Sequence, residues 1–179
     1  MEYDLVRLFE HPFRLHRYIP SAIVTLGKPG VDRCSIELKS RKSAGDATID
    51  DELVLRWDLA ALRRHFADID EEIANLRERD DDQAMRVELA AVVVAVAVMA
   101  QIEPETRFTR RSAPGTRHDY YLNGSRTEMI EIAGRWKGGL PGLFAMKREQ
   151  SDLNPTLTKR WVSVTIMRAP RNRTEGLHS

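Results

Sequence analysis

The chain has 179 residues, of which 42% are hydrophobic and 31% charged, and its 28 Lys and Arg nearly balance 27 Asp and Glu to a net charge of +1. This excludes a disordered chain, and the length allows one domain whose core needs neither disulfides nor a structural metal. Cys34 is the only cysteine, which excludes an intramolecular disulfide, a cysteine-based zinc site and a CxxC redox motif.

The start, MEYDLVRLFEH, lacks a basic segment followed by a long apolar run, so no cleaved secretory signal is expected. The longest apolar run, Leu89 to Ala100, is short of the ~20 residues that span a bilayer. A soluble cytoplasmic protein without membrane contact is therefore expected. The net charge hides an asymmetry: residues 1–100 sum to −5 and residues 101–179 to +6. The basic half could face a polyanion, or pair with the acidic half.

In chain order, residues 1–56 predict a β-rich part. Ala22–Leu26 reads as a strand closed by Gly27 and by turn chemistry at Lys28-Pro29-Gly30. Cys34–Lys39 alternates apolar and polar residues, Ser40–Asp46 reads as a loop, and Glu52–Arg56 as a third strand. Cys34 itself reads as a core or half-buried thiol.

Residues 57–102 predict two helices. Leu59, Leu62, Phe66, Ile69, Ile73 and Leu76 form a heptad-like stripe, which suits either packing on the chain's own core or a seam with a partner protein or second copy. A charged break at Arg77–Asp82 follows. The second helix, Gln83 to Gln101, is apolar nearly all round and should be deeply buried, with small Val and Ala residues that let neighbours approach closely.

Residues 103–168 predict hairpins. Thr106–Arg110 and Arg117–Leu122 read as strands, with a turn at Ala113-Pro114-Gly115, and Asn123-Gly124 is the strongest hairpin signal in the chain. Thr127–Ala133 is the partner strand, Gly134–Pro141 a loop, Phe144–Leu153 a short helix and Trp161–Met167 a final strand. Residues 169–179 form a basic tail.

Chemistry is sought where polar residues are forced toward the core. Pleat parity puts Met129, Glu131 and Ala133 on one face of their strand, and the Asn123-Gly124 hairpin brings Asp119 toward Glu131. Glu88 stands one residue before the apolar run, where an acid needs a partner or a metal. Three carboxylates from a helix and two strands could hold Mg²⁺ or Mn²⁺. The alternatives are a surface hairpin whose acids pair with Arg117, Arg126 or Arg135, and for Glu88 a helix start favoured by the macrodipole.

This order of residues resembles the core of the PD-(D/E)xK nuclease superfamily, in which an acid-bearing helix precedes a strand, a hairpin strand with Asp, and a strand with Glu-x-Lys. The resemblance covers about residues 84–167. It implies a restriction-endonuclease-like core in the second half; with the β-rich N-terminal extension read above, the expected fold is α+β, a mixed sheet flanked by helices. It further implies that Glu88, Asp119 and Glu131 hold the metal, with Asp119 and Glu131 catalytic. Two residues after Glu131 stands Ala133 where the motif has lysine. Lys147 could replace it from the following helix, orienting water or stabilising charge on phosphorus, with Gln150 nearby. Asp119–Leu122 and Glu131–Gly134 also resemble segments of small bacterial proteins, a likeness that carries no function.

The expected function is metal-dependent hydrolysis of nucleic acid, as a subunit in a bacterial defence or nucleic-acid-processing system. The competing expectation is an inactive nuclease-like scaffold that binds a partner protein or nucleic acid. Arg110, Arg111, Arg135, Lys137, Lys159 and Arg160 are the candidate phosphate contacts. The five histidines are scattered without metal spacing, and the glycines from Gly134 to Gly142 lack a following Gly-Lys-Ser/Thr, so neither a zinc hydrolase nor a mononucleotide site is expected.

Overall fold

The computed structural model describes residues 1–28, 30–40, 49–79, 83–113, 119–153 and 157–167. The sequence expectations at Ser40–Asp46 (beyond Ser40), Pro29, Asp80–Asp82, Pro114–His118 and the tail 169–179 lie outside these residues.

The protein is α+β, with two sheets. In the first, β1 (Glu2–Asp4) runs parallel to β3 (Ile49–Arg56), which pairs antiparallel with β2 (Arg33–Ser40). Two 3₁₀ turns, Leu5–Glu10 and Leu15–Tyr18, lead from β1 into α1, Ile19–Leu26. Within the N-terminal part, Ala22–Leu26 is helix rather than strand. A five-residue apolar run fits either form. Pro20 in the first turn favours helix, and Ile19 to Ile23 are all buried, so burial supplies no alternation that would favour a half-exposed strand. The Gly27 N–H donates to the Ile23 carbonyl at 2.9 Å and closes the last turn.

The expected single helix at 59–76 is two: α2, Leu59–His65, and α3, Ile69–Glu78. Charge placement explains the break. Arg63, Arg64 and His65 fall at the C-terminus of α2, and Asp70, Glu71 and Glu72 at the N-terminus of α3, each complementing a helix dipole. Arg63 Nε clamps the corner on Asp70 Oδ2 at 2.6 Å. The stripe serves the chain's own core, since Leu62, Ile69 and Ile73 are buried there.

Helix α4, Gln83–Ile102, packs on α1 and on the second sheet, and ten of its residues are buried. By length and composition it could also cross a membrane; 61% of that apolar window is buried inside the fold. One hydrophobic core runs from Leu53 and Leu55 of β3 through the Val and Ala residues of α4 to Tyr120, Ile130 and Ile132.

The second sheet is ordered β4 (Phe108–Arg111), β5 (Tyr120–Leu122), β6 (Glu128–Arg135), β7 (Lys159–Ile166). β4, β5 and β6 are antiparallel neighbours, and β7 is parallel to β6 after a crossover through α5, Leu140–Asp152. Gly134, expected in a loop, lies in β6 for a steric reason. A Cβ there would sit 2.5 Å from the Val87 carbonyl oxygen and 2.8 Å from Ala91 Cβ, so glycine lets α4 lie directly on the sheet.

Candidate active site

The turn between β5 and β6 sets the register. Asn123 and Gly124 have φ of +55° and +69°, as a primed two-residue hairpin turn requires. The Asn123 side chain ties this turn down, accepting from the Arg107 N–H at 2.9 Å and donating to Glu128 Oε2 at 2.9 Å. Tyr120 then pairs with Ile130 and Tyr121 with Met129, which brings Asp119 beside Glu131. The Asp119 N–H donates to the Ile130 carbonyl at 3.0 Å, and its Oδ2 accepts the Ile132 N–H at 2.7 Å. A side-chain carboxylate here takes the place of a main-chain acceptor in the ladder.

The two faces of β6 are covered by different helices. Ile130, Ile132 and Gly134 face α4, whereas Met129 and Glu131 face the side over which α5 packs. Met129, Leu143 and Leu157 are buried there, outside the main core. Glu131 is only 2% exposed. Lys147, on α5, donates from Nζ to Glu131 Oε1 and lies 3.5 Å from Gln150 Oε1. Lys147 and Gln150 are three apart on the helix and so share a face. Burial pushes the Glu131 carboxyl above its ordinary range; the Lys147 hydrogen bond opposes this, and the neighbouring Asp119 charge reinforces it.

Asp119, Glu131, Lys147 and Gln150 are thus brought together. Glu88 is not: it is exposed on α4, the helix on the other face of the sheet. Among the described residues no group of three or more His, Cys, Asp or Glu side chains is placed to hold a metal ion. The surface-hairpin alternative fails for Glu131, which is buried and paired with Lys147 rather than an arginine. Arg126 and Arg135 are exposed, and Arg117 lies outside the described residues.

The candidate phosphate contacts do not form one patch. Lys159 binds Glu103 at 3.2 Å and lies 5.3 Å from the Trp161 ring centroid, and Arg160 binds Asp152 at 3.2 Å. Arg135 and the exposed Lys137 leave the other end of β6. Arg110 and Arg111 are exposed on β4. There a register shift between Phe108 and Arg110 makes Thr109 an extra residue, so Arg110 pairs with Tyr121. The Arg110 guanidinium lies 4.3 Å from the Tyr121 ring centroid. The pair is not legible in the sequence, because strict alternation from Phe108 puts Arg110 on the core face; only the bulge turns it over.

Elsewhere, Cys34 is half-buried with its thiol pushed up by burial. Two of the scattered histidines meet on one ring: His16 stacks on Phe9 at 4.7 Å and His65 lies 4.9 Å from it.

No protein-family model, no characterised protein and no solved structure matches the chain.

Proposed function

We propose that this protein is a metal-dependent phosphodiesterase acting on nucleic acid, with Asp119, Glu131 and Lys147 as its working residues. The observation that carries this reading is the convergence of two carboxylates, a lysine and a glutamine on one sheet face, with Glu131 buried at 2% exposure. An acid is an expensive choice for a position that an apolar residue would fill, as Ile130 and Ile132 do on the other face. The element order adds support: a helix, a strand, an Asp strand, a Glu strand and a lysine-bearing helix follow one another as in the PD-(D/E)xK resemblance.

A Mg²⁺ or Mn²⁺ ion fits this donor set. Among the described residues, hydrogen bonds engage one oxygen of each carboxylate, and a hard cation of this kind needs only one or two carboxylates, completing its shell with water and substrate phosphate. Asp119 and Glu131 would hold it; Glu88 would not. When bound, such an ion would supply Lewis-acid stabilisation of charge on phosphate and help to deprotonate the attacking water. Lys147, held between Glu131 and Gln150, offers a fixed ammonium to a phosphate oxygen as charge builds there. Asp119, bonded through the Ile132 N–H, keeps its carboxylate oriented without moving.

The test is cleavage of labelled single- and double-stranded DNA and RNA with Mn²⁺. Cleavage by the wild type that Asp119→Asn and Glu131→Gln both abolish is the expected result. Absence of cleavage on every substrate favours the second reading, a nuclease-like scaffold. One observation speaks for that reading: the Glu131–Lys147 pair already joins α5 to the sheet and is nearly closed to solvent. In that case charge reversal at Asp68 or Glu72 is expected to disrupt assembly with a partner.

A further inference from the structure

We propose that the β4–β5 half of the same sheet face binds an unpaired nucleobase on the Arg110–Tyr121 pair, which makes single-stranded nucleic acid the substrate class of the site. The catalytic part of this statement rests on the phosphodiesterase reading; the binding part does not.

Three features lead to it. First, Tyr121 pairs with Met129, two residues before Glu131, so its ring stands on the face of the carboxylate site and one step along it. Second, the bulge at Thr109 turns Arg110 onto this face rather than the core face, and the Thr109 hydroxyl donates to the Tyr121 carbonyl at 3.2 Å, pinning the irregularity. Bulges are used next to active sites to re-aim a side chain. Third, α5 packs over β6 and β7, while Arg110 is exposed and Tyr121 half-buried.

The chemistry of the pair selects the ligand. A guanidinium over a phenol ring, 4.3 Å from its centroid, pairs a positive charge with an aromatic face. Arg110 makes no ion pair among the described residues, so its N–H donors stay available to a phosphate. A base offers a π-face and its own phosphate an anion, and together these match the two halves of the stack. Duplex bases show only their edges to a protein, so the ligand is a strand whose bases are splayed out. A base seated here lies one pleat step from the Asp119–Glu131 pair along the same sheet face.

The experiment measures binding of fluorescent oligonucleotides to the full chain by anisotropy in EDTA, so that cleavage does not interfere. The probes are oligodeoxyadenylate, its duplex, and an abasic strand with the same phosphates. The single strand is expected to bind about tenfold more tightly than either control, a gain that Tyr121→Leu removes and Tyr121→Phe retains. Arg110→Ala is expected to weaken single-strand binding and reduce its salt dependence by about one phosphate contact. Unchanged thermal midpoints certify the folding of these variants. Equal affinity for the abasic strand or the duplex overturns the proposal, as does wild-type binding by Tyr121→Leu or no binding at all. Mn²⁺-dependent cleavage of the same probes separates the two claims. Cleavage that depends on Glu131 but not Tyr121 sinks the stacking site alone; Tyr121-dependent binding without cleavage sinks the phosphodiesterase alone.

Discussion

The two faces of β6 are equally dry and chemically opposite. Toward α4 the strand presents Ile130, Ile132 and a glycine over which the helix lies in contact; toward α5 it presents Glu131, with Asp119 beside it and Lys147 above. All residues from Met129 to Ile132 are buried, so burial alone does not explain the difference. The α4 face is what a sheet needs to stay folded. The α5 face keeps a carboxylate in a place that disfavours its charge, an arrangement typical of sites tuned for chemistry.

Four variants sharpen this contrast. The largest stability loss is expected for Lys147→Ala, about 3 kcal/mol in a denaturant titration, because Glu131 is left buried without its cation. The double replacement Glu131→Leu with Lys147→Met should restore stability to within about 1 kcal/mol of wild type while abolishing the Mn²⁺-dependent cleavage proposed above. On the other face, Gly134→Ala is expected to lose about 2 kcal/mol, since its Cβ would strike the Val87 backbone, with the α4–β6 spacing rather than catalysis as the primary casualty. Gly124→Ala, at φ +69°, should cost about 1 kcal/mol and loosen the hairpin that aligns Asp119 with Glu131.

The subtlest effect is a pH dependence. The folded Glu131 carboxyl has a raised pKa, so between the ordinary carboxylate range and that raised value the folded state binds more protons than the unfolded one. Its contribution therefore falls as pH rises through that window and then levels off. Glu131→Gln removes the titration. The midpoint of the variant relative to wild type is expected to climb with pH across the window and stay flat below it.

Much of the second sheet is legible in the sequence because its determinants are local. Asn123-Gly124 dictates a primed turn, and pleat parity then brings Asp119 to Glu131. Lys147 and Gln150 share a helix face by spacing alone. What escaped depends on neighbours distant in the chain. Which face α4 covers is decided by Gly134 meeting Val87 and Ala91, and that choice separates Glu88 from the other acids. The bulge at Thr109 has no strong residue signature, so Arg110 read as a generic basic residue. Ala22–Leu26 reads as a strand and folds as helix for a different reason, since so short a run has no period long enough to tell the two apart. The break between α2 and α3 was written in the switch from Arg63-Arg64-His65 to Asp70-Glu71-Glu72, a dipole pattern hidden beneath an unbroken apolar stripe.

The most direct test of the central claim is thermal unfolding with and without millimolar Mn²⁺, in wild type and in Asp119→Asn, Glu131→Gln and Glu88→Gln. A cation that binds only the folded state raises the midpoint. The account expects a rise in the wild type and in Glu88→Gln, lost in both Asp119→Asn and Glu131→Gln. A rise that survives in Glu131→Gln, or no rise in the wild type, would contradict it and leave the pair with Lys147 as a clamp holding α5 to the sheet.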